Sequence, residues 1–549
     1  MLPVRPRETL SLQTRDGIRL DADVYRPDAP GAFPVLLMRQ PYGRQIASTV
    51  VYAHPTWYAA HGYIVVIQDV RGRGTSKGVF SPFAMEVEDG YDTVMWAANL
   101  PDSTGDVGMY GFSYQGMTQL YAAGAHPPAL KALCPAMLPY DLYTDMAYEG
   151  GTLCLQAKLG WAIQLATETA RLKGDRAAYH ALYAASRNLP LSDPIPARPE
   201  VLQRYAADSF YFDWLDHPNP ADDYWAKHSP RTYLDTVDLP MLHIGGWFDL
   251  YLRGTVGMYR AMAERSSHPQ HLLIGPWVHI PWGRRVGAVD FGTEAVSPVD
   301  RLQIRWFDQL LKGQDTGLLQ EPPVRLFEMG NNQWRSLPAF SPTHRQSLFL
   351  CTTGLAGISE AEGSLQAILP NVCPTDVLVH DPWRPVPSLG GHAGFPGGCF
   401  ERGAIDCRSD VLTYTTKPLQ RDLHLLGEIQ LEVYCSTDAP SFDLCAVLSE
   451  VRSTGVYNFT QGYRRVEPGQ STTPLSLTLQ PTCMRIASGN ALRLSLSAAC
   501  FPAYAVNPGT GTHPANATLL EAQIITLTVR CGGQYISRLL LPVLDATKN

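Results

Sequence analysis

The sequence predicts an α/β domain built on a mostly parallel sheet, interrupted by a helical insertion and followed by an all-β domain. Three observations predict it. Short, nearly continuous apolar runs recur between residues 33 and 277, helix-patterned stretches alternate with them, and beyond about residue 345 strand patterns continue without helices. At 549 residues the chain also exceeds what one hydrophobic core usually spans.

Residues 8–27 read as a hairpin, with ETLSLQT and IRLDADVY alternating in polarity around Asp16-Gly17. FPVLLMRQPY (33–42), GYIVVIQDV (62–70), DVGMYGFS (106–113), LKALCPAM (130–137), LPMLHIGG (239–246) and HLLIGPW (271–277) have the apolar continuity of strands covered on both faces. EVEDGYDTVMWAANL and YQGMTQLYAAGA supply helices between them. From 141 to 235 strand signals fade, and Leu155, Leu159, Ile163, Ala166 and Ala170 recur at helical spacing. This predicts a helical cap inserted between two strands, so that residues 1–140 and 236–344 form the α/β core. Residues 345–549, with EIQLEVYCST, LCAVLSEV, ALRLSLSAA and IITLTV in succession, read as a sandwich or jelly roll.

Composition excludes several classes. A content of 45% hydrophobic and 17% charged residues fits packed cores rather than a disordered chain. Forty-four basic and fifty-one acidic residues give a net charge of −7 without a basic block, which argues against nucleic acid as a partner. No apolar run reaches the ~18 residues of a membrane-spanning helix, and Met1 to Thr14 lack a leader pattern, so a cytoplasmic chain with no membrane partner is expected. Eleven cysteines without CxxC pairs indicate neither a zinc ribbon nor a disulfide framework. They read as reduced, mostly buried thiols, with pairing among Cys373, Cys399 and Cys407 left open.

The segment DVGMYGFSYQGMTQLYAAGA carries the chemistry. A buried strand runs through Gly111-Phe112-Ser113-Tyr114-Gln115-Gly116 directly into a helix, the setting in which a sharp turn exposes a nucleophilic serine. The usual pentapeptide is G-x-S-x-G, and here the second glycine comes one place later. A serine hydroxyl needs a base within hydrogen-bond reach and an acid to orient that base. Asp249, just beyond one apolar run, and His279, just beyond the next, stand in the order acid then histidine. Singly, Asp249 also suits a helix cap and His279 a loop residue bonded to backbone; their conjunction with Ser113 indicates a triad. The oxyanion of acyl transfer needs donors, for which the backbone N–H of Tyr114 and the phenol of Tyr42 are placed. From the residues alone Tyr42 equally suits a core or interface position.

These segments resemble the bacterial cocaine esterase group of α/β-hydrolases, which includes α-amino-acid ester hydrolases, glutaryl acylases and X-Pro dipeptidyl-peptidases. QPYGR around Tyr42, DVRGRGTSKG from Asp69, GMYGFSYQG around Ser113, GGWFD ending at Asp249, GPWVH ending at His279 and DPWRPVPSLGG from Asp381 carry the likeness, and the group's own elbow reads G-x-S-Y-x-G. The resemblance implies an α/β-hydrolase core, an inserted helical cap and a carboxyl-terminal jelly roll. It also implies a triad of Ser113, Asp249 and His279 with Tyr42 and Tyr114 as oxyanion donors, and no metal or organic cofactor; the sequence has no HExxH or comparable ligand cluster. DVRGRGTSKG reads as a structural loop anchored by Arg71.

The substrate is less plainly written in the chain. Asp145 and Glu149, four apart at the opening of the cap, either pair with a substrate ammonium or begin a solvated helix. Trp161, Trp247, Phe248, Trp277 and Trp282 suggest an aromatic acyl-group pocket. The expected function is a serine hydrolase cleaving a small-molecule ester, an amide or a short peptide through an acyl-enzyme. Its rivals are an X-Pro dipeptidyl aminopeptidase, an acyltransferase using the same acyl-enzyme, and a binding protein with an inert core. Homo-oligomerisation is left open.

Overall fold

The computed structural model describes residues 1–46, 49–192, 198–468 and 474–545. Its first sheet has ten strands: β1 (Glu8–Gln13), β2 (Arg19–Tyr25), β3 (Phe33–Gln40), β4 (Ile64–Asp69), β5 (Ser103–Phe112), β6 (Leu130–Ala136), β7 (Met241–Phe248), β8 (Gln270–Val278), β9 (Val324–Glu328) and β10 (Gln333–Leu337). The order is β1-β2-β4-β3-β5-β6-β7-β8-β9-β10. Every pairing from β4 to β9 is parallel, and the antiparallel strands lie at the two ends.

The continuous apolar runs have a direct physical cause. Along β3, Val35 and Leu37 enter one core layer while Leu36 and Met38 enter the other. β4 divides its residues likewise, Ile64 and Val66 against Val65 and Ile67. The helices Glu86–Ala98 and Tyr114–Gly124 cover the first face, and Val299–Leu311 packs on the second through Leu302, Trp306 and Phe307. With both faces covered, most strand positions are apolar, and the buried polar exceptions Arg39 and Gln68 bond each other at 2.8 Å.

Between β6 and β7 the chain leaves the sheet and forms the helices Leu155–Lys173, Arg176–Arg187, Glu200–Tyr205, Phe210–Asp216, Asp223–His228 and Pro230–Leu234. Leu155, Leu159, Ile163, Ala166 and Ala170 are all buried, as their spacing predicts. Asp175 starts the next helix by accepting the Ala178 N–H at 3.0 Å.

The carboxyl-terminal region is a largely antiparallel β domain, running from His344–Thr352 to Arg538–Val543. Its core residues, among them Leu431, Leu494 and Leu541, form one apolar cluster with Trp247, Phe248, Leu272 and Leu326 of the first domain. The β domain is therefore packed directly against the β7–β9 side of the first sheet. All eleven cysteines are free thiols, seven of them buried. Cys373 Sγ lies 3.2 Å from Cys351 Sγ, so the partner of Cys373 is neither Cys399 nor Cys407. Among the described residues no helix is long and apolar enough to cross a membrane.

Candidate active site

The site lies at the carboxyl ends of β5, β7 and β8, where loops of a parallel sheet open into a crevice. Ser113 follows β5 and precedes the helix Tyr114–Gly124 with φ 58° and ψ −127°, a strained conformation for a residue with a side chain. Its N–H donates to the Ala136 carbonyl at 2.9 Å, tying the turn to β6. The displaced glycine has a packing reason. A Cβ on Gly111 would lie 2.5 Å from the Gln115 Cβ, and one on Gly116 would lie 2.9 Å from Leu138 Cδ2 and 3.1 Å from the Ala136 carbonyl oxygen. Room is needed at 111 and 116, not at 115.

Asp249 and His279 end adjacent parallel strands, with Phe248 opposite Val278 in register. A shift in that register between Gly275 and Val278 bends β8 just before the histidine. His279 Nδ1 is 2.7 Å from Asp249 Oδ1, and the carboxylate is completely buried. That bond engages one ring nitrogen and leaves Nε2 as the group able to exchange a proton in the cavity. The imidazole stands edge-on to the Tyr251 ring at 5.1 Å and lies 5.5 Å from the Phe112 ring. The Trp282 indole fixes the backbone here by donating to the His279 carbonyl at 3.1 Å.

Ser113 and His279 line one cavity of about 560 Å³ together with Tyr42, Tyr114 and Trp161. The Tyr42 hydroxyl accepts a hydrogen bond from Trp161 Nε1 at 3.1 Å, with the Ser113 side chain as its neighbour. Burial pushes its pKa up to about 12 against the opposing effect of Trp161, so it is a neutral donor at pH 7. Tyr114 is placed differently. Its phenol donates to Glu86 at 2.8 Å and accepts from the Phe83 N–H at 3.1 Å, which anchors the ring in the core. Only its main-chain N–H, at the first helical position and without an intrahelical acceptor, serves the turn.

Comparison with known proteins agrees with this geometry. Residues 16–281 match the model of the X-Pro dipeptidyl-peptidase (S15 family), and residues 316–540 match that of the X-Pro dipeptidyl-peptidase C-terminal non-catalytic domain. The chain is 30% identical to cocaine esterase from Rhodococcus sp., over 96% of this chain and 97% of that protein. The chain belongs to the CocE/NonD and X-Pro dipeptidyl-peptidase S15 family of serine hydrolases. Its fold is shared with an aminopeptidase from a marine sediment archaeon of the Thaumarchaeota, at TM-score 0.81 and 22% identity over 98% and 96% of the two chains. It is also shared with an α-amino acid ester hydrolase, at TM-score 0.78 and 22% identity over 99% and 97%. As a member of this family the protein is a serine hydrolase acting on esters or amides.

Not every residue singled out from the sequence of this hydrolase reaches the cavity. Trp161 does, but four of the five aromatics do not line it. Trp247 and Trp277 are buried, with their indoles bonded to the Phe327 and Ala295 carbonyls, and Trp282 stacks on Trp277. Phe248 lines a neighbouring cavity of about 430 Å³ that also touches His279. The apolar walls around Ser113 come instead from Val50, Met117, Met146, Leu250, Ile280 and Phe395.

Asp145 and Glu149 are also elsewhere, in a separate cleft between the cap and the β domain. The stretch is a single wide turn, Tyr143–Ala147, followed by extended backbone, so the two carboxylates do not share a helical face. Asp145 accepts the N–H groups of Tyr140 and Asp141 at 3.1 and 2.8 Å. Glu149 is paired with Arg253 at 2.8 Å, His392 at 2.9 Å and Tyr504 at 2.6 Å, which joins cap, core and β domain. Burial opposes its charge, yet Arg253 and His392 hold its carboxyl well below the usual range. Sequence reasoning missed Gln480 of the β domain, whose Nε2 donates to the carbonyls of Trp247 and Asp249 at 3.0 Å each and so braces the loop of the acid. No local pattern marks it.

Two outcomes are expected. Tyr42→Phe removes one hydroxyl and should lower kcat about a hundredfold with little change in KM; a kcat near that of the wild type places the donor elsewhere. Glu149→Gln takes the counter-charge from the half-buried Arg253 and the buried His392 and should cost about 2 kcal/mol in denaturant unfolding. Because the folded Glu149 is depressed, its stabilisation is complete above the ordinary glutamate pKa of about 4.3 and is lost as pH falls below it. The variant should show a flatter stability curve across that window.

Proposed function

We propose that the protein hydrolyses esters of neutral, apolar carboxylic acids, with Ser113 as nucleophile, His279 as base and Asp249 as the acid that orients it. One observation carries the choice of substrate: among the described residues lining the Ser113 cavity there is no aspartate, glutamate, lysine or arginine. An enzyme for X-Pro peptides or α-amino acid esters must desolvate an ammonium, and an unpaired buried charge costs several kcal/mol. The two carboxylates that could have met this need are engaged in the separate cleft. An apolar acyl chain, by contrast, gains about 25 cal/mol for each Å² of apolar surface it buries.

The proposed cycle follows from the placements. His279 Nε2 takes the Ser113 proton as Oγ attacks the carbonyl carbon, while the buried Asp249 stabilises the imidazolium through the Nδ1 bond. The Tyr42 hydroxyl and the Tyr114 N–H donate to the oxyanion, each worth roughly 3 kcal/mol. The imidazolium then protonates the departing alcohol, and water repeats the sequence on the acyl-enzyme.

The test is a panel of p-nitrophenyl acetate, butyrate and phenylacetate against alanine p-nitrophenyl ester and Ala-Pro p-nitroanilide, with Ser113→Ala as control. Neutral esters should exceed their ammonium-bearing counterparts by about a hundredfold or more in kcat/KM. Ser113→Ala should abolish turnover and leave the unfolding midpoint nearly unchanged. Preference for Ala-Pro p-nitroanilide would establish the aminopeptidase reading instead. Product analysis with added amines and alcohols separates hydrolysis from acyl transfer.

A further inference from the structure

The cap helix Leu155–Lys173 carries a residue that its own pattern does not predict. Lys158 falls on the buried stripe, one turn beyond Leu155 and beside Leu159, and is 1% exposed. It takes part in no ion pair among the described residues. Its one side-chain hydrogen bond runs from Nζ to the Tyr251 hydroxyl at 3.0 Å, and the ammonium also lies 4.6 Å from the centre of that ring. Tyr251, two residues beyond Asp249, lines the Ser113 cavity, and its ring lies 5.1 Å from that of His279 at an interplanar angle of 80°. A buried ammonium with a single neutral partner is costly, and this one stands one side chain from the proposed base.

Resting on the triad reading above, we propose that Lys158 is a positioning residue for His279: through Tyr251 it fixes the imidazole, and its positive charge disfavours the imidazolium. The groups that face Lys158 support this. Cys154 on its own helix is a thiol pushed up to about 12 by burial and carries no charge near neutrality. Tyr251 is held far above the usual phenol range by burial and is likewise neutral. Arg253, at the start of the core helix, is neutralised by Glu149 at 2.8 Å. Asp249 is left as the anion that feels the ammonium, and Asp249 is the hydrogen-bond partner of His279. Burial pulls Lys158 down to about 8, so its charge, present at neutral pH, is discharged on the alkaline side of the working range.

The sign is fixed by electrostatics. A nearby cation makes a second positive charge on the imidazole harder to form. Removing the cation moves the acid limb of kcat/KM upward.

The experiment is the kcat/KM–pH profile of wild type, Lys158→Met, Lys158→Arg and Tyr251→Phe on p-nitrophenyl butyrate, with a separate aliquot of each reacted with a fluorophosphonate to verify the Ser113 adduct. Wild type should show a second ionisation near pH 8 on the basic side. Lys158→Met should lose it and shift the acid limb up by about half a pH unit or more. Lys158→Arg keeps a charge that does not discharge, so it should retain the wild-type acid limb and lose the pH 8 step. Tyr251→Phe, which deprives the ammonium of its acceptor, should move that step to lower pH. A Lys158→Met profile superimposable on wild type overturns the proposal; if that variant fails to fold, an unchanged pH 8 step in Lys158→Arg and Tyr251→Phe overturns it equally. Absence of any Ser113 adduct in wild type defeats the triad reading itself, a failure the pH profiles do not produce.

Discussion

The hydrogen bond between His279 and a fully buried Asp249 is the constraint around which the rest of the molecule is arranged. A carboxylate without solvent is costly to bury, and three neighbouring elements fix the surroundings of this one. The parallel pairing of β7 and β8 places acid and histidine at the same edge of the sheet. The cap brings the Lys158 ammonium into the field of the acid. The β domain sends in Gln480 to brace the backbone on which the acid is mounted.

That arrangement gives the carboxyl-terminal domain a part in the site without a group at the reacting centre. Its apolar core merges with the β7–β9 side of the first sheet, and Glu149, Arg253, His392 and Tyr504 stitch the third corner. Phe395 closes one wall of the cavity. The junction is therefore held by buried polar contacts across the domain boundary as well as by apolar packing. The match to the carboxyl-terminal family model begins at residue 316, ahead of β9 and β10, so these last strands of the first sheet lie within the span of that match.

Much of the site was legible because its signals are local. The elbow is written in consecutive residues, since the same turn that exposes Ser113 needs space at Gly111 and Gly116. Asp249 and His279 were legible because each follows directly on a buried strand, where parallel sheets place their functional loops. The aromatic pocket was misread because nearness in sequence to Asp249 and His279 does not bring a side chain into the Ser113 cavity. Trp247, Phe248, Trp277 and Trp282 flank the acid and the histidine along the chain, but Trp247 and Trp277 turn their rings into the core, Phe248 faces a neighbouring cavity, and Trp282, beyond the end of β8, stacks on Trp277. Asp145 and Glu149 failed for a related reason, since their spacing indicated one face only on the premise of a regular helix.

What the sequence by itself determined is therefore the order of elements, the doubly covered parallel sheet, the helical insertion and the three residues at strand ends, all properties of short segments and their periodicity. What only the tertiary structure decided is which side chains meet across long separations: Trp161 on Tyr42, Lys158 on Tyr251, Gln480 on the loop of Asp249, and the absence of formal charge from the described lining of the Ser113 cavity. Periodicity assigns a residue to a face. Its neighbour on that face is set by how separate elements pack, and no local pattern in the chain encodes that distance.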